Sequence, residues 1–142
     1  MIKLTNVHVE GFRLLENIEI AVEASTTVVV GRNNSGKTSL TEVFDRFLGE
    51  RAGKFRLEDF AAAVRPKFLS AKALRDDEAT TAEAVLTDLQ VIALTLTFTY
   101  DPSADDLGAL SPFVIDLDPD CVTAIARIEY SPSLNTVPIL LD

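Results

Sequence analysis

Apolar and polar residues alternate in two runs near the amino terminus. Ile2, Leu4, Val7 and Val9 form the first, with a phase slip near Asn6; Ile18, Ile20 and Val22 alternate with Glu19, Ala21 and Glu23 in the second. A period of two sends successive side chains to opposite faces of a sheet, so both runs predict half-buried strands, joined by a hairpin-like turn through Gly11-Phe12-Arg13-Leu14-Leu15-Glu16-Asn17. Thr26-Thr27-Val28-Val29-Val30 is a short β-branched run of the kind that makes a buried strand. The period then changes. Leu40, Val43, Phe44, Phe47 and Leu48 recur at three-and-four spacing, which predicts a helix over 39–48 buried on one face.

Leu57-Glu58-Asp59-Phe60 opens an alanine-rich stretch with apolar residues at helical spacing, and Pro66 predicts that the helix breaks or restarts there. Large apolar groups are sparse from Ser70 to Leu89, so this stretch reads as a weak surface helix or a mobile connection. Alternation returns at Val91. Ile92, Leu94, Leu96, Phe98 and Tyr100 face one way and Thr95, Thr97 and Thr99 the other, a strong half-buried strand. Its expected partner is Cys121 to Tyr130, with Val122, Ala124, Ala126, Ile128 and Tyr130 on one face. Between them Asp101 to Asp120, rich in proline and acid, reads as a long exposed loop. The chain is therefore expected to be a single lobe over 1–142: a strand pair, a loop strand and a helix in 1–50, a helical connection in 51–90, and an antiparallel hairpin in 91–142 around the acidic loop 101–120.

Composition narrows the class. The 142 residues are 47% hydrophobic and 25% charged, ordinary for one globular domain. One cysteine, Cys121, allows no internal disulfide, fits a reducing cytoplasm and reads as a small core residue. No stretch approaches the roughly 20 apolar residues of a membrane span, and no signal peptide precedes the first strand, so the expected location is cytoplasmic, away from membranes. A net charge of −9 repels phosphate backbones, so any DNA contact needs a local patch or another polypeptide. The lone histidine, His8, has no ligand cluster at metal spacing and reads as a half-exposed strand residue.

The chemistry concentrates in Gly31-Arg32-Asn33-Asn34-Ser35-Gly36-Lys37-Thr38, which fits G-x-x-x-x-G-K-[ST] at every fixed position and lies between a strand-like run and a helix. Such a loop wraps a triphosphate with backbone N–H groups at the positive end of a helix dipole. Gly31 and Gly36 permit close backbone approach, while Asn33, Asn34 and Ser35 suit a loop with unusual φ angles. Lys37 is expected to reach the β- and γ-phosphates, and the Thr38 hydroxyl to hold Mg²⁺. The expected ligand is a nucleoside triphosphate with Mg²⁺.

With the strand pair carrying Gly11-Phe12-Arg13-Leu14-Leu15 and the loop extended through Ser39, the chain resembles the amino-terminal lobe of the ABC-type ATPases of the SMC, RecF and OLD (overcoming lysogenization defect) group. The Asn33-Asn34 pair, Leu57-Glu58-Asp59-Phe60 and the Val91 to Tyr100 strand look most like the OLD branch. The resemblance implies an α/β P-loop NTPase lobe with an antiparallel β subdomain, lacking its carboxy-terminal lobe. It implies ATP and Mg²⁺ as cofactors, and a second ATPase head or the missing lobe with a TOPRIM nuclease as partner. It further implies DNA reached only through the larger assembly, and a role in DNA processing, DNA repair or phage defence. It also puts Phe12 and Arg13 near the nucleotide, with Arg13 a nucleotide contact.

The departures bear on catalysis. There is no Leu-Ser-Gly-Gly signature, no apolar run ending in Asp-Glu, no later switch histidine and no TOPRIM carboxylate set. Phe113-Val114-Ile115-Asp116 and Ile139-Leu140-Leu141-Asp142 are the two weak Walker B candidates, and Gln90 precedes a strand where a Q-loop glutamine would follow one. The expectation is a fragment or one part of a split ATPase that binds ATP and hardly hydrolyses it. The alternatives are a small stand-alone P-loop NTPase or kinase, disfavoured by the absence of repeated βαβ units and of an N-K-x-D motif, and a truncated regulatory fragment that pairs with a full-length head.

Overall fold

The alternating apolar positions converge on one face of a single antiparallel sheet. In the computed structural model, which describes residues 2–32, 35–75, 89–103, 108–113, 118, 120–133 and 135–141, the strands are β1 (Lys3–Phe12), β2 (Leu15–Ala21), β3 (Ile92–Thr99) and β4 (Thr123–Tyr130), in the order β2-β1-β3-β4. The register aligns the apolar sets: Val7 lies opposite Ile20 and Leu96, Val9 opposite Ile18 and Leu94, and Ile128 and Ala126 extend those rows from β3. The phase slip expected near Asn6 is a register shift between Leu4 and Asn6, where the Thr5 hydroxyl donates to the Thr97 carbonyl at 3.1 Å. The opposite face is polar. There Arg127 pairs with Glu10 and His8 Nε2 lies 2.6 Å from Asn17 Oδ1, so His8 is the half-exposed strand residue its context predicts.

Helices α1 (Lys37–Leu48), α2 (Arg65–Arg75) and α3 (Thr136–Leu141), with 3₁₀ turns at Leu57–Asp59 and Ala62–Val64, share a core with the apolar rows. Pro66 stands in the first turn of α2, where its missing N–H costs nothing, so the helix restarts there as expected. Val43 of α1 is fully buried while Leu40, Phe44 and Phe47 are partly buried. Aromatic rings join the layers: Phe47 meets Phe55 edge-on at 5.0 Å between centroids, Phe55 stacks on Tyr130 at 4.4 Å, and Phe60 tilts on Phe68 at 4.6 Å.

Several expectations are corrected. Thr26 to Val30 forms no strand; Val28 and Val30 are 74% and 83% exposed. A β-branched run becomes a strand only where its backbone finds a partner, and among the described residues the rows of the sheet end at β2. The Thr27 hydroxyl instead accepts the Glu23 N–H at 2.8 Å, a local bond in place of a ladder. The hairpin of 91–142 is no separate β subdomain, because β3 pairs with β1 along nearly its whole length. The connection between β1 and β2 is tighter than Gly11 to Asn17, since the strands run to Phe12 and resume at Leu15. Leu48 lies off the buried stripe, at 55% exposure.

Ile139-Leu140-Leu141 cannot close a Walker B strand, because 136–141 are helical. Val137 and Leu140 are buried, and Ser133 accepts the Val137 N–H at 3.0 Å at the helix start. Asp142, residues 114–117 of the other Walker B candidate and residues 76–88 of the Ser70 to Leu89 stretch lie outside the described residues. The acidic connection is not wholly exposed: Leu110, in a 3₁₀ turn at Gly108–Phe113, is buried against Tyr100 and Ala124.

One charged group sits in this interior with no solvent exposure. Asp59 Oδ1 accepts from Arg13 Nε at 3.1 Å and from its terminal nitrogen at 2.7 Å; Oδ2 accepts the Arg56 N–H at 3.0 Å and lies 3.2 Å from Nε of Arg46, itself only 5% exposed. A paired buried carboxylate is tolerated, but removing one partner strands the other charge in a poorly solvating interior. Asp59→Ala should therefore destabilise the fold by about 3–5 kcal/mol, read as a lower midpoint in urea denaturation; a midpoint unchanged from the wild type would show that the network does not support the fold.

Candidate nucleotide site

The phosphate-binding run straddles the start of α1. Leu40 N–H makes the first intrahelical bond, to Gly36 O at 3.0 Å, so the N–H groups of Lys37, Thr38 and Ser39 precede the helical ladder and are available as donors. Gly36 has φ +91°, and a Cβ there would stand 2.9 Å from Leu15 Cδ2; both conformation and space require glycine. At Gly31 a Cβ would stand 2.5 Å from the hydroxyl of the exposed Ser35, so a larger residue there would make that side chain turn away. The loop closes through the Ser35 N–H, which donates to Arg32 O at 3.2 Å.

Lys37 turns back over this loop. Its Nζ donates to the carbonyl of Gly31 and, at 3.0 Å, to that of Arg32, which holds the ammonium above the run it belongs to. Thr38 is exposed beside it, whereas Ser39 is 7% exposed and turned into the lobe. Gly31, Arg32 and Ser35 are exposed, and Asn33 and Asn34 lie outside the described residues. Ile18 and Ile20 of β2, with Val29, Val30 and Leu40, form the apolar wall of a cleft of about 220 Å³ beside the loop.

Residues 36–39 thus offer an ammonium, helix N–H groups and a hydroxyl next to a glycine, the kinds of group a triphosphate with Mg²⁺ requires. Among the described residues no three His, Cys, Asp or Glu side chains cluster as a metal cage.

Arg13 lies outside the run. Its backbone takes the left-handed conformation, φ 51°, and its guanidinium is spent on Asp59 and Glu42. Phe12 is fully buried and bridges to Phe60, while the Arg13 N–H donates to Asp59 O at 2.9 Å. The two stretches singled out in the sequence, Gly11 to Leu15 and Leu57 to Phe60, thus lie side by side. Asp59, Glu42 and Arg46 were not singled out as functional. Part of their signal was present, since Glu42 and Arg46 are four apart on a helix, whereas nothing in Glu58-Asp59 distinguishes the exposed acid from the buried one.

Among the described residues no helix is long and apolar enough to cross a membrane. No curated protein and no solved structure matches the chain. A family model described as an AAA ATPase domain matches residues 2–118, a span that contains β1 to β3, the whole phosphate-binding run and Asp59. By that match the chain belongs to the AAA ATPase domain family.

Proposed function

We propose that this chain is the ATP-binding amino-terminal part of an OLD-like, SMC-related ATPase that powers or regulates DNA processing or phage defence. The observation that carries the ATP site is Lys37, whose ammonium is folded over Gly31 and Arg32 at the open end of α1. Gly31, Arg32, Asn33, Asn34, Ser35, Gly36 and Ser39 would contribute backbone donors, Lys37 charge on the β- and γ-phosphates, and Thr38 a metal ligand. Bound Mg²⁺ would neutralise charge on the phosphate oxygens.

The exposed Val28 to Val30 run beside the loop supports a working unit that includes a further polypeptide surface, namely a second ATPase head or a carboxy-terminal lobe with its TOPRIM nuclease. The OLD assignment itself rests on the Asn33-Asn34 pair, Leu57 to Phe60 and the Val91 to Tyr100 strand. DNA would be met through that assembly, since a net charge of −9 opposes direct binding.

Lys37→Ala should weaken ATP binding by about 10²- to 10⁴-fold, the loss of two charge-assisted contacts of about 1.5–3 kcal/mol each, with the fold unchanged. Equal affinities of wild type and variant in calorimetric titration would refute the site. Thr38→Ala should lose about tenfold in the presence of Mg²⁺ and little in EDTA, since only the metal contact is removed; the same loss in both buffers would remove Thr38 as a metal ligand.

Turnover is a separate matter. The sequence holds no apolar run ending in Asp-Glu and no Leu-Ser-Gly-Gly signature, and transition-state contacts of that type are each worth about 10²-fold or more. The isolated chain should therefore bind ATP and release phosphate no faster than the Lys37→Ala control. Magnesium-dependent release lost in that control would show that the chain carries its own catalytic groups.

A further inference from the structure

We infer that Arg13 is a positioning residue: through Asp59 and Glu42 it fixes the end of α1 that presents Lys37 and Thr38 to the triphosphate. The inference rests on the nucleotide reading above and assigns a different role to Arg13 from that of a phosphate ligand.

Three nitrogens of Arg13 are already engaged by the protein. Nε and one terminal nitrogen bind Asp59 Oδ1, and the other terminal nitrogen pairs with Glu42. A planar guanidinium held by two carboxylates is fixed in direction as well as place. The backbone beneath it is also determined. A φ of 51° is uncommon for a non-glycine residue and persists where the surroundings enforce it; here the Arg13 N–H bond to Asp59 O and the buried Phe12 do so.

The contacts reach α1 at two levels. Thr38, Glu42 and Arg46 are spaced by four residues and share one stripe of the helix. Arg13 grips that stripe at Glu42, one turn from Thr38, and Asp59 meets it again at Arg46. Arg46 is secured in turn by donating to Lys54 O at 2.7 Å. The same turn touches the loop directly, since Leu15, two residues after Arg13, packs where Gly36 has no side chain. A shift of Arg13 would therefore move both the stripe that bears Thr38 and the glycine that starts α1.

Partial exposure makes the pair testable. The side chains of Arg13 and Glu42 are 28% and 26% exposed, so neutralising either leaves no fully buried charge at Glu42 and leaves Asp59 with Arg46 and the Arg56 N–H.

The experiment compares Arg13→Gln, Glu42→Gln and the double variant by MgATP titration well below their melting temperatures, together with amide exchange of Leu40 to Val43, the first amides bonded in the α1 ladder, in protein without added nucleotide. The expected result is an equal loss of about tenfold in MgATP affinity for each single variant, no further loss in the double variant, and faster exchange of those amides in all three. A Glu42→Gln variant that binds as tightly as wild type or more tightly, beside a weakened Arg13→Gln, would make Arg13 a direct phosphate contact and overturn the inference. Lowered melting temperatures with unchanged affinities would overturn it in favour of a purely structural role. A wild type that binds no MgATP refutes the proposed function, whereas unchanged exchange in every variant overturns the positioning role whatever the wild type binds.

Discussion

A carboxylate without solvent, held between two guanidinium groups, decides how the parts of this lobe meet. Asp59 cannot be buried alone, because the interior would favour neither its charge nor that of Arg46. Satisfying it requires the turn after β1, the stripe of α1 and the 3₁₀ turn at 57–59 to arrive at one point. The surrounding sequence allows that convergence. Gly11, with φ +72°, passes so close to the Val91 carbonyl that a Cβ would collide with it, and Phe12 fills the space beneath against Phe60. The hydrophobic rows of the sheet provide most of the burial, and the ionic network gives the junction its geometry.

The proposed phosphate site adjoins that junction. Its residues are consecutive in sequence, yet a run of eight residues orients nothing by itself: the direction of α1 comes from Val43 in the core and from Arg46 and Glu42 at the network. Lys37 meanwhile satisfies itself on the carbonyls of Gly31 and Arg32. Incoming phosphate oxygens would replace neutral acceptors with charged ones, and that difference in hydrogen-bond strength is the source of binding energy at this residue. The exposed approach through Val28 to Val30 has no ladder among the described residues and supplies none of this rigidity.

What the sequence revealed follows from how local each signal is. β1, β3, β4 and α1 were legible because each buries one face, and that leaves a period of two or of 3.6 in the chain. The bulge near Asn6 was legible as a broken period, and the Gly31 to Thr38 motif stands out in the sequence because its residues occupy neighbouring positions. The pairing of β1 with β3 was not legible, since alternation gives a strand its faces and not its neighbour. Thr26 to Val30 misled because β propensity measures fit to a sheet surface, and this segment meets none among the described residues. Ile139 to Leu141 misled because a short apolar run reads equally as strand or buried helix; Pro138 near the start of α3 was the discriminating signal. The role of Asp59 needed three separate segments to be seen together.

The central claim is that residues 31–39 form a triphosphate site whose geometry is set from outside the loop. Amide chemical-shift mapping during titration with MgATP and with inorganic tripolyphosphate tests it most directly. The account predicts that both ligands shift the amides of residues 31–40 first and furthest, with smaller changes carried to Arg13, Glu42 and Asp59 and none on the polar face around Arg127. Shifts centred away from α1, or none with either ligand at millimolar concentration, would contradict it.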